Sequence, residues 1–201
     1  MPKKDAPSAR EIKRGQTRER LLGAAIVEFK RAGIAEAEVG TIVAAAGVAH
    51  GTFFFHFPTK EHVLLELEQR EESRMAQELT RVLGADADLR AVLTESVVVL
   101  KALERRLGKP LFKDFLALHF STSKPPDEEW AGHPFIIAVV EKIELAHRRG
   151  ETNGRTDSLH LGVFFLLGLY ALLITLPADD AVRDEVVSQF VETSLHGMVA
   201  K

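Results

Sequence analysis

The chain has 201 residues, of which 46% are hydrophobic, a formal net charge of −3 and no cysteine. That length can bury a sizeable core, and the missing cysteines exclude disulfides, thiolate catalysis and Cys-based zinc sites. Residues 1–60 hold ten Lys/Arg against six Asp/Glu, and residues 61–201 sixteen against twenty-three. A basic first part on an acidic remainder suits a head that meets phosphate and a body that stays off it.

Residues 1–9 read as an arm, with two prolines and no periodicity. Lys3, Lys4 and Arg10 can follow a DNA backbone, and a solvated tail is the alternative. The stretch MPKKDAPSAR has no apolar run, so it is not expected to act as a secretory signal. A first helix is expected from about Arg10 to Ala32, with Leu21, Leu22, Ala25, Ile26 and Phe29 as its apolar stripe and Gly33 ending it.

Residues 37–60, AEVGTIVAAAGVAHGTFFFHFPTK, hold two short helical patterns around a turn. Val39, Ile42, Val43 and Ala46 fall on one helix face, and Gly47 stands where a left-handed cap ends that helix. In the second run, from Ala49 to Phe57, Phe53 and Phe57 turn inward and Ala49, His50 and Thr52 outward. Helices this short are not stable alone. Held at an angle by a third, they make a helix-turn-helix, whose second helix enters the major groove of DNA.

Residues 33–60 resemble the TetR family of transcriptional regulators. Gly33, Val39, Ile42, Ala46, Gly47, Val48, Gly51, Thr52, His56, Phe57 and Lys60 stand at the family's spacing without a gap, and Ile34 is a similar apolar residue. The departures remove donors from the phosphate-facing rim. Ala37-Glu38 replaces a Thr pair, Ala49 a Ser, Phe54 a Tyr, and the larger Val43 an Ala. The resemblance implies an all-α chain with a three-helix helix-turn-helix head on a larger helical ligand-binding and dimerisation domain. The division expected is 1–59 for arm and DNA-binding domain and 60–201 for the effector-binding and dimerisation domain.

Each candidate contact to double-stranded operator DNA has a physical role. His50 and Thr52 reach base edges, Gly51 lets the backbone approach, and Thr41 touches backbone or base. His56 and Lys60 donate to phosphate, a partly buried histidine being the alternative for His56. Phe54 and Phe55 cannot both be buried, and an exposed ring in the groove can meet a thymine methyl.

Beyond Pro58, Thr59 is a good N-cap for a long helix whose apolar face is Val63, Leu64, Leu67, Met75, Leu79 and Leu83. Its charged middle, Glu66 to Arg74, suits an exposed helix. Further helices are expected over 89–107, 109–120 and from Pro134 to Arg149, with STSKPPDEEW a loop and GETNGRTD similar to the family's loop before its penultimate helix. Leu161 to Leu176 carries no charge and falls short of the ~20 residues that span a bilayer. It is therefore expected in a subunit interface rather than a membrane, and the resemblance pairs it with the last helix, about Asp179 to Met198. That last helix is expected to turn Val182, Val186, Phe190 and Leu195 inward.

No hydrolase elbow, dinucleotide fingerprint, phosphate loop or His-Glu-x-x-His occurs, so no enzyme is expected. Nor is any cofactor or metal, since His56 with His62 is not a metal spacing. The resemblance implies a small, apolar effector in the body, where Phe112, Phe115, Leu116, His119, Phe120, Phe164 and Phe165, with Trp130 and Phe135, can line a cavity and His119 anchor the ligand. Simple core is the alternative. The reading is a cytoplasmic homodimeric regulator, a repressor released by its effector, against a helical ligand-binding or scaffolding protein whose DNA head has decayed.

Overall fold

The computed structural model describes residues 8–120, 133–176 and 180–199. The arm lysines Lys3 and Lys4, the 121–130 loop with Trp130, and Asp179 lie outside them. The described residues form helices α1 (Ala9–Glu36), α2 (Val39–Ala46), α3 (His50–His56), α4 (Lys60–Val82), α5 (Leu89–Leu107), α6 (Lys109–Ala117), α7 (Pro134–Arg148), α8 (Ser158–Thr175) and α9 (Asp180–Met198). The chain divides into two compact units, Met1–Leu67 and Glu68–Lys201, with α4 passing from one into the other.

In the first unit, Ser8 caps α1 reciprocally. Its hydroxyl accepts Glu11 N–H at 3.3 Å while its own N–H donates to the Glu11 carboxylate at 2.7 Å. Leu21, Leu22, Ala25 and Phe29 are buried on one face. Gly33 has φ 77° and ψ 166°, which breaks the helix, and a last helical turn runs on to Glu36. A side chain would oppose that backbone, so glycine marks the break.

In the second unit α8 lies at the centre, packed against α6, α7 and α9, while α5 meets α6, α7 and α9. Close approach is built into α8 by small residues. A Cβ on Gly162 would stand 2.7 Å from Val140 Cγ2, and one on Gly168 2.8 Å from Phe190 Cζ. The helix begins at Ser158, earlier than its apolar run, because the Asp157 carboxylate accepts His160 N–H at 3.0 Å. By length and composition α8 could cross a membrane, yet half of it is buried within the structure.

Three expectations are corrected here. The charged middle of α4 is not wholly exposed, since Glu68 and Glu72 retain only 3% and 1% of their surface. Their carboxylates face two histidines and a backbone N–H, partners that sequence separation hides. The 109–120 segment is α6 followed by a 3-10 turn, Leu118–Phe120. On α9 the inward stripe is Arg183, Val187, Val191, Leu195 and Met198, whereas Val182 is 45% exposed. Arg183 stands on that stripe and donates to Glu104 of α5 at 2.8 Å, in a part-buried ion pair.

Candidate nucleic-acid interface

The head's geometry follows from one turn. Gly47 adopts φ 64° and ψ 43°, and its N–H donates to Ala44 O at 3.1 Å. Val48 N–H reaches back to Val43 O, also at 3.1 Å. This paired closure satisfies the last carbonyls of α2 and ends it sharply. The chain re-enters helix at His50, and α2 and α3 meet at 97°. Phe53 and Phe57 are fully buried, together with Ile42 of α2 and Phe29 of α1. Burial of these rings, each worth ~1.5–3 kcal/mol, holds two helices of eight and seven residues that could not persist alone.

The outward arc of α3 is His50, Gly51, Phe54 and Phe55, all exposed. Phe54 is 48% and Phe55 67% exposed, so both rings face solvent. Thr52 is half-buried at the edge of the arc, and Thr41 is exposed on α2. The outward side is thus half aromatic rather than small and polar. Aromatic contacts steady it: His50 lies 5.4 Å from the Phe54 ring, and the Arg14 guanidinium stands 5.0 Å above Phe55.

Two residues expected at phosphate face elsewhere. His56 retains 9% of its surface, and burial, followed by the nearby Arg18 and Arg14 charges, pushes its pKa down. Lys60 directs its ammonium into the protein and donates to Ala35 O and Ala37 O, each at 2.9 Å. It ties the end of α1 to the first turn of α4. Arg18 does similar work on the other side, donating to His56 O, pairing with Glu66, and lying 4.1 Å over the Phe57 ring. The sequence places Arg14 and Arg18 on the basic half of α1 but gives no sign that they brace α3.

The seven residues expected to hold an effector separate into two groups. Phe112, Phe115, Leu116 and Phe165 are core, and the His119 side chain is fully buried. Phe120 and Phe164 are 48% and 63% exposed, so neither lines an interior cavity of this chain. None of the seven borders the grooves between α5 and α9 or beside α4 and α7. The groove of about 330 Å³ at α5 and α9 is charged, with Lys101, Glu104, Arg105, Arg183 and Asp184 among its walls. Phe115 and His119 do meet, at 6.1 Å between rings.

A basic three-helix head with a glycine-capped right-angle turn and an exposed second helix defines a helix-turn-helix DNA-binding domain. More narrowly, residues 21–67 match the family described as bacterial regulatory proteins, tetR family. No curated protein gives a significant match over the sequence. Among solved structures, the chain is similar to the Thermus thermophilus FadR, a TetR family transcriptional repressor in complex with lauroyl-CoA, at 20% identity and a TM-score of 0.67, covering 92% of this chain and 96% of that one. It is also similar to SmeT, the repressor of the Stenotrophomonas maltophilia multidrug efflux pump SmeDEF (22% identity, TM-score 0.60, 92% and 93% covered). A third is TylP, a TetR regulator from Streptomyces fradiae, at 19% identity and a TM-score of 0.57, with 92% and 88% covered. At these identities the likeness is one of fold, and it extends over both units.

Proposed function

We propose that this chain is a cytoplasmic, homodimeric transcriptional repressor that binds a near-palindromic operator and is released by a small, largely apolar effector. The observation that carries the DNA part is the α2–α3 corner, held by Gly47 and presenting His50, Gly51, Phe54 and Phe55 outward within the stretch matched to the tetR family. On this reading α3 enters the major groove, with His50 and Thr52 at base edges and Thr41 at the rim. The exposed rings of Phe54 and Phe55 supply apolar contact to thymine methyl groups in place of missing hydroxyl donors. His56 and Lys60 act from behind, by holding α3 and α4 in place.

Residues 1–59 then form the DNA-binding part and 60–201 the effector and dimer part. The dimer reading rests on apolar residues left exposed on α8, where Phe164 is 63% and Leu159 48% exposed, and on Val182 of α9. Exposed apolar side chains of that size on the last two helices are ones that a second copy can cover. The effector reading rests on the buried aromatic set of Phe112, Phe115 and Phe165, and on the acyl ligand of the Thermus repressor that shares the fold. Since those rings are fully buried, effector entry requires the packing around them to open.

Selection of genomic fragments by the purified protein tests the proposal. Enrichment of sequences with half-sites one helical turn apart, or a multiple of it, and loss of affinity between 50 and 200 mM salt are expected. An effector must lower operator affinity, and operator must lower effector affinity by the same factor. No enrichment over random DNA at low salt would favour the scaffolding reading instead.

A further inference from the structure

The second unit buries a cluster of ionisable groups that its packing does not require. Glu68 and Glu72, one turn apart on the same face of α4, keep 3% and 1% of their surface. Like charges at this spacing oppose a helix even in water, and burying them raises the cost unless positive charge answers them. Opposite them stand His119, after α6, and His133, at the start of α7, both with buried side chains. His119 Nε2 lies 3.2 Å from Glu72 Oε1 and 3.7 Å from Glu68 Oε1. His133 Nδ1 lies 4.0 Å from the same Glu68 oxygen. The two imidazole rings are 5.0 Å apart.

One potential donor atom each from Glu68, His119 and His133 falls within 4.8 Å of every other. Tetrahedral zinc with bonds of about 2.1 Å sets its ligands about 3.4 Å apart. The largest contraction needed between any pair is therefore about 1.4 Å, within the reach of side-chain rotation. Glu72 Oε1 lies 3.2 Å from His119 Nε2, beside this group of three. Its other oxygen accepts Phe135 N–H at 2.9 Å, which fixes the carboxylate.

One further atom points to a missing ligand. The Tyr170 hydroxyl is buried with no hydrogen-bond partner among the described residues. Tyr170 packs edge-on to His119 with 4.8 Å between rings. Orphaned polar atoms in a packed interior call for an ion or a water.

We propose that Glu68, His119 and His133, with Glu72 beside them, bind one divalent first-row transition ion, zinc(II) foremost, inside the body of each chain. The donor set decides the class. Imidazole nitrogen suits zinc, nickel, copper and iron, while magnesium and calcium want an all-oxygen shell. Two carboxylates and two neutral imidazoles carry two negative charges, which one divalent cation cancels. The neutral Tyr170 hydroxyl is then a donor for a water or small anion on the ion. Sequence spacing conceals the site, because the ligands come from three elements far apart along the chain. The inference does not rest on the operator reading, since it concerns metal binding by the protein alone.

The test uses the full chain, stripped with a chelator and dialysed. Zinc chloride is titrated calorimetrically against a competing chelator, and cobalt(II) is titrated while the visible spectrum is followed. One equivalent per chain is expected, together with the intense d–d bands of a four- or five-coordinate cobalt site. His119→Ala, His133→Ala and Glu68→Gln should each weaken zinc by about 100-fold or more, whereas His196→Ala, on the exposed end of α9, should leave it unchanged. If an alanine variant does not fold, Glu68→Gln, which keeps the side chain's volume, and the cobalt spectrum of the unaltered protein still decide. No stoichiometric binding by the unaltered chain, or equal affinity in the folded variants, would overturn the proposal.

Discussion

Lys60 is where the family resemblance and the structure assign different work to one side chain, and its removal separates them. The ammonium donates to Ala35 O and Ala37 O, each at 2.9 Å. Hydrogen bonds from a charged group contribute ~1.5–3 kcal/mol apiece when dry. One of these is exposed and the other half-buried, so solvent reduces the pair to ~1–2 kcal/mol together. Lys60→Ala should therefore lower the stability of the head by that amount. Amide hydrogen exchange in α2 and α3, read against exchange in α5, localises the loss. Affinity for a selected operator is measured alongside, between 50 and 200 mM salt. A lysine that contacts phosphate contributes ~0.9 to the log–log slope. If the ammonium is engaged as the structure shows, the slope of Lys60→Ala stays near that of the unaltered protein. Unchanged exchange together with a slope flattened by ~0.9 would refute the reasoning and return Lys60 to the DNA.

Other perturbations probe the same framework. Gly47→Ala meets no atom within 4 Å of the new Cβ, so its effect is the left-handed backbone alone. It should cost ~1–2 kcal/mol by urea unfolding, Gly47→Asn should cost less, and no loss in Gly47→Ala would mean the turn is not left-handed. Phe164→Glu leaves the folded chain within ~0.5 kcal/mol, because the ring is already 63% exposed. A shift towards monomer in light scattering would then report the interface, and an unchanged dimer would place it elsewhere. Leu169→Glu cannot serve this purpose, since Leu169 is fully buried in its own chain. His56, with its pKa lowered from the ordinary 6.5 by burial and then by Arg18 and Arg14, binds protons less readily folded than unfolded. Head stability should be complete above about pH 6.5 and decline as pH falls below it. His56→Gln should flatten that decline, and an unchanged pH profile would sink the assignment.

Local physics made the head legible before any coordinates. The spacing of Val39, Ile42 and Ala46, and the burial of Phe53 and Phe57, depend on period and on neighbours a few residues away. Gly47 announced its turn because few other residues tolerate φ 64°. The same local rules gave the extents of α5 and α7, and the Pro58-Thr59 entry to α4. Side-chain direction at the interface was not legible to that degree. His56 and Lys60 match the family's positions, yet Lys60 turns inward because the carbonyls at the end of α1 lie within its reach.

In the body, composition identified helices but not their phase or their polar interior. α9 carries two apolar arcs one residue apart, and the one on which Arg183 pairs with Glu104 of α5 faces inward. Phe120 and Phe164 read like core by type, and only packing shows that their faces of the chain are left uncovered. Glu68 and Glu72 read like solvent-exposed charges for the converse reason. Periodicity records which residues share a face, whereas the partner of that face is chosen by elements distant in the chain. His119 and His133 meet the two glutamates through tertiary packing alone, so this cluster was decided by the fold and left no mark in local sequence.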